Sequence, residues 1–446
     1  MESERRKFGM ILVFAVLFAT LTLISVGCAS ATTHYVNPDK SIQAAVDAAD
    51  PGDTIIVMDG TYTENIVIKK SMTIKSENGP TNCIVNAKSA YNHVFEVESD
   101  HVTIEGFAIE GATGIGHAGI YLKTNHSNVS NNICSNSWDG ILLFFSNNNS
   151  MLNNICSNNQ WVGIELNFSS KNVILSSSSS NNGLGIGLTE SSNENIISNN
   201  SCSNNEQGIL LDYSNKNIIS NNSYSNNKNG ILLDSSNKNI ISNNSCSNNK
   251  WGGIHLFKYS NNNIISNNIC SNNGGGIGLL FSSENNIMSN NSCSNNEIGI
   301  ALDEYSNNNI ISNNSYSNNK YGIGLTNNSN NFIYLNNFMW NKRNVLSYNS
   351  TNIWRSPAPI TYTYEGKEYT NYLGNYWGDY KGKDENSDGI GDTLYIIDED
   401  NEDSYPLIKP TTPTSKPSAD IPREEAIIAI AGVLLVVAAY LLRRRK

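Results

Sequence analysis

From residue 119 to residue 346 the apolar residues fall in short runs separated by Asn and Ser, and the runs recur at a fixed interval. A Gly-Ile-x-Leu unit or a close variant begins at Gly119, Gly140, Gly163, Gly185, Gly208, Gly230, Gly253, Gly276, Gly299 and Gly322, at intervals of 21 to 23 residues. A second apolar pair, as at Ile196-Ile197, Ile218-Ile219, Ile240-Ile241, Ile264-Ile265 and Ile310-Ile311, leads into Asn-Asn-x-Cys/Tyr-Ser-Asn-Asn and then into the Gly-Ile run. Each repeat therefore carries three short strands. Runs this short do not build helical solenoids, and the leucine-rich, hexapeptide and Gly-Gly-x-Gly-x-Asp templates do not match. The pattern predicts an all-β parallel β-helix, a solenoid whose ten regular coils stack at about 4.8 Å into roughly 45 Å of rod. Asn at equivalent turn positions suits this architecture, because it tolerates left-handed backbone, forms Asx-turns and in register makes side-chain amide ladders. A disordered low-complexity tract would not hold Ile and Leu in fixed columns.

The same alignment puts Cys134, Cys156, Cys202, Cys246, Cys270 and Cys293 in one column with Tyr224 and Tyr316. Column-mates point the same way, which opposes the disulfide dihedral, so stacked and mostly buried thiols are expected. A thiol metal ladder lacks any Cys-x-x-Cys or paired His in support. Ahead of the regular repeats, Ser41 to Ala49 reads as a short amphipathic helix with Ser41 as N-cap, placed to cover the open end of the rod. Strand-like runs at Ile55 to Val57, Ile66 to Ile68, Met72 to Ile74, Val94 to Val97, Val102 to Ile104 and Phe107 to Ile109 supply irregular first coils.

Both ends of the chain read as envelope-directed. Arg5, Arg6 and Lys7 precede an apolar run to Val26, and Ala29-Ser30-Ala31 resembles a cleavage site, so residues 1–31 are expected to be a secretory signal. Lipidation at Cys28 is the alternative, with Ser25 where a lipobox prefers Leu. Near the other end, residues 426–442 form an uncharged apolar stretch of transmembrane length, followed by the basic tail 443–446, which the positive-inside rule places in the cytoplasm. A removable sorting signal is the alternative. The expected organisation is then signal 1–31, N-terminal cap and irregular coils 32–118, regular coils 119–346, an acidic C-terminal module 347–408, a Pro/Thr-rich linker 409–425, a membrane helix 426–442 and a cytoplasmic tail.

Composition narrows the function classes. Only 15% of the 446 residues are charged, the formal charge is −11, and Lys/Arg cluster only at the termini, which argues against a nucleic-acid partner.

Several strings are familiar. Ser41-Ile42-Gln43-Ala44-Ala45-Val46-Asp47, Pro51-Gly52-Asp53-Thr54-Ile55, Gly60-Thr61-Tyr62, the coils themselves and Asn375-Tyr376-Trp377-Gly378-Asp379-Tyr380 resemble the NosD-like right-handed parallel β-helix proteins over nearly the whole ectodomain. The resemblance implies either periplasmic copper delivery or a surface protein of the methanogen type with a C-terminal anchor, and this chain looks like the second. The wider superfamily binds or processes carbohydrates, an implication that transfers at the level of the fold.

The residues set these chemistries apart. His34, His93, His101, His117, His126 and His255 are scattered along the chain, Met is sparse, and no soft-ligand cluster supports copper. For polysaccharide cleavage, no Arg lies between Lys7 and Lys342, which leaves Lys216, Lys238 or Lys258 as bases. Asp212 and Asp234 share a position on successive coils at a separation suited to a retaining glycosidase. Each also sits in an Asp-x-Ser-Asn-Lys turn, where a solvated carboxylate near Lys is the simpler reading. Trp138, Trp161, Trp251 and Tyr321 before the glycines, and Phe145, Phe168, Tyr213 and Phe281 after the strand, are positioned either to stack on sugar rings or to pack between coils. Asp384, Asn386, Asp388, Ile390 through its carbonyl, and Asp392 match the start of an EF-hand-like Ca²⁺ loop, with Tyr395 where the closing Glu belongs. Structural Ca²⁺ is expected there, since the acidic segment to Asp403 repels itself without a counter-ion. The preferred expectation is a non-enzymatic cell-surface rod that recognises glycans or envelope components, ahead of a carbohydrate-active enzyme and of copper carriage.

Overall fold

The computed structural model describes residues 31–411. The predicted leader, but for its last residue, and the predicted membrane helix and basic tail lie outside the described residues. Among those described, no helix is long and apolar enough to cross a membrane.

The chain winds as a right-handed parallel β-solenoid of about 14 turns. Three parallel sheets of 15, 14 and 13 strands run its length, here sheets A, B and C in the order the coil visits them. One representative coil has Ile196–Ser198 in A, Ser201–Ser203 in B and Gln207–Asp212 in C. Most regular coils turn inward one Ile from A, a Cys or Tyr from B, and an Ile and a Leu from C, with Met151 and Met288 in A and Ser179 in B among the exceptions. Ile219, Tyr224, Ile231 and Leu233 are each 0% exposed. Full burial of an aliphatic side chain contributes about 1.5–3 kcal/mol, so this four-position signature drives each coil onto the next. The Cys column holds as expected: Cys134 pairs in register with Cys156, and Cys246 with Cys270 and then Cys293, all as free, buried thiols.

The corners explain the Asn content. Asn199 and Asn204 adopt φ of +56° and +57°, the left-handed conformation that Asn accepts more readily than other side chains. The Asn that follows each is buried and carries a ladder. Asn205, Asn227 and Asn249 each donate a backbone N–H to the side-chain oxygen one coil on, at 2.9 to 3.0 Å. Equivalent ladders run through Asn200–Asn222–Asn244 and Asn195–Asn217–Asn239. An outer ladder runs the other way: Asn237 N–H donates back to Asn215 Oδ1 at 2.6 Å. The repeated glycines answer a close approach rather than a left-handed backbone. A Cβ at Gly230 would lie 2.5 Å from the Gly253 carbonyl oxygen and 3.1 Å from Cys246 Sγ.

Both ends of the solenoid are tied down. Helix α1 (Ile42–Ala48) packs Ile42 and Val46 into the core with Ser41 as its N-cap. The Gln43 amide donates to the Val67 carbonyl and accepts from the Val67 N–H, taking the backbone groups of the first strand of sheet C, an edge with no further strand beside it among the described residues. Glu64 accepts from the Ile42 and Gln43 N–H groups, and Lys70 donates to the Asp47 and Ala49 carbonyls, so the first coil grips both ends of the helix. At the far end, sheets A and B continue through Thr351–Ile353 and Tyr376–Trp377, and two Asn ladders finish on Asn401 and Asn375. Asn375 N–H and Trp377 Nε1 then donate to buried Asp403, while the Trp377 ring stacks between Phe338 and Tyr395 at 4.4 and 4.2 Å.

Candidate functional site

Sheet C has the longest strands and an open outer face. In Asn229–Asp234, Ile231 and Leu233 point into the core, while Leu232 and Asp234 face outward and are half-buried. Register stacks these outward positions into columns, so Leu232 lies beside Leu210 and His255, and Asp234 beside Asp212 and Phe257. The floor is uneven. His255 lies across Gly252 and Gly278, where a Cβ would collide with its ring, and burial pushes its imidazole down to about 4.

Asp212 and Asp234, singled out by the repeat, are register neighbours on this face. Asp234 is 3.7 Å from Lys258 and accepts from Ser235 Oγ at 2.9 Å. The cation that reaches the pair is Lys258, one coil on, rather than the Lys216 or Lys238 of their own turns. Partial burial, with Asp234 and Glu190 adding like charge, raises the Asp212 carboxyl above its ordinary range, and Lys258 works against this.

Asp139 and Glu165, on neighbouring coils of the same sheet, were not singled out from the sequence. Asp139 is 2% exposed and accepts from the Val162 N–H at 3.1 Å. Burial, and then the Glu165 charge, push its carboxyl up to about 8. Glu165 is raised by burial and accepts from Thr189 Oγ1 at 3.4 Å. The available signal was the column itself: Glu165 shares it with Glu96 but stands between Leu142 and Gly187, ahead of Leu210 and Leu232. This face thus carries carboxyl groups held toward their neutral, proton-donating form.

Exposed aromatics flank both edges of sheet C. On the entry edge Trp161 and Trp251 are about half exposed, whereas Trp138 and Tyr321 are half-buried. Lys228 Nζ sits 5.5 Å from the Trp251 ring centroid and Lys320 Nζ 5.2 Å from that of Tyr321. On the exit edge stand Phe145, Phe168, Tyr213, Tyr259, Phe281 and Tyr305, all exposed.

The acidic loop is compact. Asp384 accepts from the Asp388 and Gly389 N–H groups at 3.0 and 2.9 Å, Asn386 accepts from Asp388 N–H, Asp388 from Ile390 N–H, and Asp392 from Glu385 N–H. The loop is thus shaped by its own oxygen donors, and Ile390 is buried against Leu407. An adjoining pocket of about 620 Å³ is lined by Lys381, Lys383, Glu385, Asp392 and Thr393. The histidines the sequence scatters are partly gathered, with His93 5.1 Å from His117 and His101 stacked on His126 at 5.3 Å. Among the described residues no three His, Cys, Asp or Glu side chains converge on a point where a metal ion could sit.

The model of the periplasmic copper-binding protein (NosD) family matches residues 46–229 and 192–382. A cell surface glycoprotein of Methanothermus fervidus is 35% identical over 133 residues, covering 28% of this chain and 21% of that protein, so the match spans about a fifth of its relative. Among solved structures, the catalytic unit of a thermostable α-1,3-glucanase from Streptomyces thermodiastaticus superposes with a TM-score of 0.54 at 14% identity, over 66% of this chain and 65% of that one. The Dettilon tailspike protein superposes with a TM-score of 0.53 at 15% identity, over 74% and 72%. At these identities the likeness is one of fold.

Proposed function

The chain belongs to the NosD family, and from that premise we propose that it is a non-enzymatic cell-surface rod that recognises glycans or neighbouring envelope components. The observation that carries the reading is the outer face of sheet C, open along the solenoid and bordered on both edges by exposed Trp, Phe and Tyr. Aromatic rings beside amide and hydroxyl groups suit sugar, whose two faces are apolar and whose rim is polar. The similarity to a cell surface glycoprotein supports the same compartment, with residues 426–442 as the membrane anchor and α1 closing the membrane-distal end of the rod. Structural Ca²⁺ in the Asp384–Asp392 loop is supported by the sequence spacing of its hard oxygen donors and the Ile390 carbonyl, and binding would require the carboxylates to turn from the loop's own N–H groups toward the ion. Copper carriage is the weaker assignment, because the thiols face the core and the histidine pairs lack a third soft ligand.

A second reading, a carbohydrate-active enzyme, is favoured by one observation: the Asp212–Asp234 and Asp139–Glu165 pairs stand on the same face, with the Asp212, Asp139 and Glu165 carboxyls held above their ordinary range. Incubating the full-length protein with a polysaccharide panel, with and without Ca²⁺, separates the two. Retention of a glycan without new products by mass spectrometry is expected; turnover that Asp212→Asn or Glu165→Gln abolishes would replace the first reading with the second.

A further inference from the structure

The exit corner of sheet C departs from the other two in the residues that fill its left-handed positions, and ring-on-ring packing accounts for Phe145 and Phe168 but not for the tyrosines. At the corners between A and B and between B and C, left-handed positions are filled by Asn in coil after coil, as at Asn199, Asn221 and Asn243 or Asn204, Asn226 and Asn248. At the exit corner, Phe145, Phe168, Tyr213, Tyr259 and Tyr305 occupy the left-handed region with φ between +46° and +65°. A bulky side chain there costs backbone strain that Asn, Ser or Gly would avoid, and such strain tends to mark function. Burial does not offset it: Tyr213, Tyr259 and Tyr305 are 58, 65 and 62% exposed.

The rings are also in register. Each precedes a buried Ser, and these form a ladder of their own, Ser146 N–H donating to Ser169 Oγ at 3.0 Å and Ser214 N–H to Ser236 Oγ at 2.9 Å. Phe168, Tyr213, Tyr259 and Tyr305 come on every second coil, with Ser191, Ser235 and Ser282 between them. While Phe145 stacks on Phe168 one coil earlier at 4.7 Å and Phe281 stands one residue outside the column, rings of this column thus repeat from Phe168 to Tyr305 at roughly 9.6 Å, twice the inter-strand distance. That interval is close to the disaccharide repeat of an extended polysaccharide. Charges of both signs line each side of the ridge, Asp212, Asp234 and Asp303 with Lys258 on the sheet C side and Lys171, Lys216 and Lys238 with Glu194 on the other.

We propose that this Phe/Tyr ridge is a binding track for an extended, uncharged polysaccharide, one disaccharide unit to every two coils. The inference rests on the glycan-binding reading and adds the site, the register and the charge class. Acidic and basic side chains are mixed along both sides, so neither a polyanion nor a polycation meets a surface of uniformly opposite sign.

The test compares the full-length protein with a Tyr213→Asn/Tyr259→Asn/Tyr305→Asn variant. Asn is the residue the other corners use, so this variant keeps or raises its melting temperature while losing three rings. Probes are soluble hexasaccharides of β-linked glucose and of N-acetylglucosamine, with alginate as polyanion and chitosan as polycation, read by calorimetry. The native protein is expected to bind an uncharged hexasaccharide, and the variant to bind it at least about tenfold more weakly. Equal binding by the variant would overturn the ridge and leave the broader glycan reading standing, with Trp161→Ala/Trp251→Ala then testing the entry edge. Preference for alginate or chitosan would overturn the charge class. No binding by the native protein to any probe would remove both readings. Self-association that the Asn variant abolishes would assign the ridge to a second copy of the chain and overturn the proposal.

Discussion

Replacing one rung of an Asn ladder tests whether these ladders, rather than the core alone, hold adjacent coils in register. Asn249 is 1% exposed and sits mid-ladder. Its Oδ1 accepts from Asn227 N–H at 3.0 Å and from Asn227 Nδ2 at 3.2 Å, while its Nδ2 donates to the Tyr224 carbonyl at 3.2 Å and to Asn273 Oδ1 at 3.0 Å. Asn249→Ala removes all four. The Asn227 side chain keeps the Cys202 carbonyl and Asn273 Oδ1 keeps the Asn249 N–H, so those losses are partial. The Asn227 N–H is left buried with no acceptor, which costs about 1–3 kcal/mol, and the other lost bonds add about 0.5–1.5 kcal/mol each. The expected destabilisation is about 3–5 kcal/mol.

The control is one residue away. Asn248 is exposed at φ +55°, so Asn248→Ala loses only the left-handed preference, about 1 kcal/mol. A solenoid opens coil by coil, so global unfolding would blur the comparison. Native-state hydrogen exchange at the amides flanking Asn227 and Asn249 reads the local free energy directly. A loss for Asn249→Ala within about 1 kcal/mol of the control would refute the argument and leave the apolar columns to set the register.

Two further predictions concern the C-terminal closure. Burial, which outweighs the hydrogen bonds from Asn375, Tyr405 and Trp377, pushes the Asp403 carboxyl up to about 6. Because that lies above the unfolded value of about 3.9, the folded state holds the extra proton between the two, and stability falls as pH rises from about 4 to about 6, by about 3 kcal/mol. Asp403→Asn keeps an acceptor for Trp377, so its melting temperature should exceed the native one at pH 7 and match it at pH 4; parallel pH profiles would count against the account. For the acidic loop, chelation is expected to lower the melting temperature of the native protein by several degrees and leave Asp388→Asn unmoved, and an unchanged melting curve in excess chelator would remove Ca²⁺ from this loop.

The regular coils were legible because their signal is redundant. Ile, Cys, Ile and Leu recur in fixed columns, and the Asn pairs at two corners state the backbone conformation as plainly as the apolar residues state the core. The short strands Thr33–Val36, Gly60–Thr63 and Cys83–Asn86 escaped notice because, before the repeat becomes regular, a three- or four-residue run has no column to compare with. The last rungs, Asn401 and Asp403, were hidden for a related reason. They lie 49 and 28 residues from the partners whose ladders they end, Asn352 and Asn375, so no fixed interval points to them. The acidic density of that segment drew attention to a cation loop instead.

The candidate site was legible only where it obeyed the repeat. Asp212 and Asp234 were found because they match each other on adjacent coils, whereas Asp139 and Glu165 have no acidic neighbour in their columns on the coils beside them. In a solenoid the repeat is the scaffold, and chemistry that serves a ligand shows itself as departure from it. The aromatic corner combines both signals: its place is dictated by the repeat, since each ring precedes a ladder Ser, while its residue type breaks the Asn rule that the same backbone obeys at the other corners. A stabilising substitution is therefore available at every ring-bearing position of that corner and has not been taken. Left-handed backbone recurs there on every coil, and rings that occupy it on alternate coils from Phe168 to Tyr305 are the form expected if the selected property is the spacing of the rings.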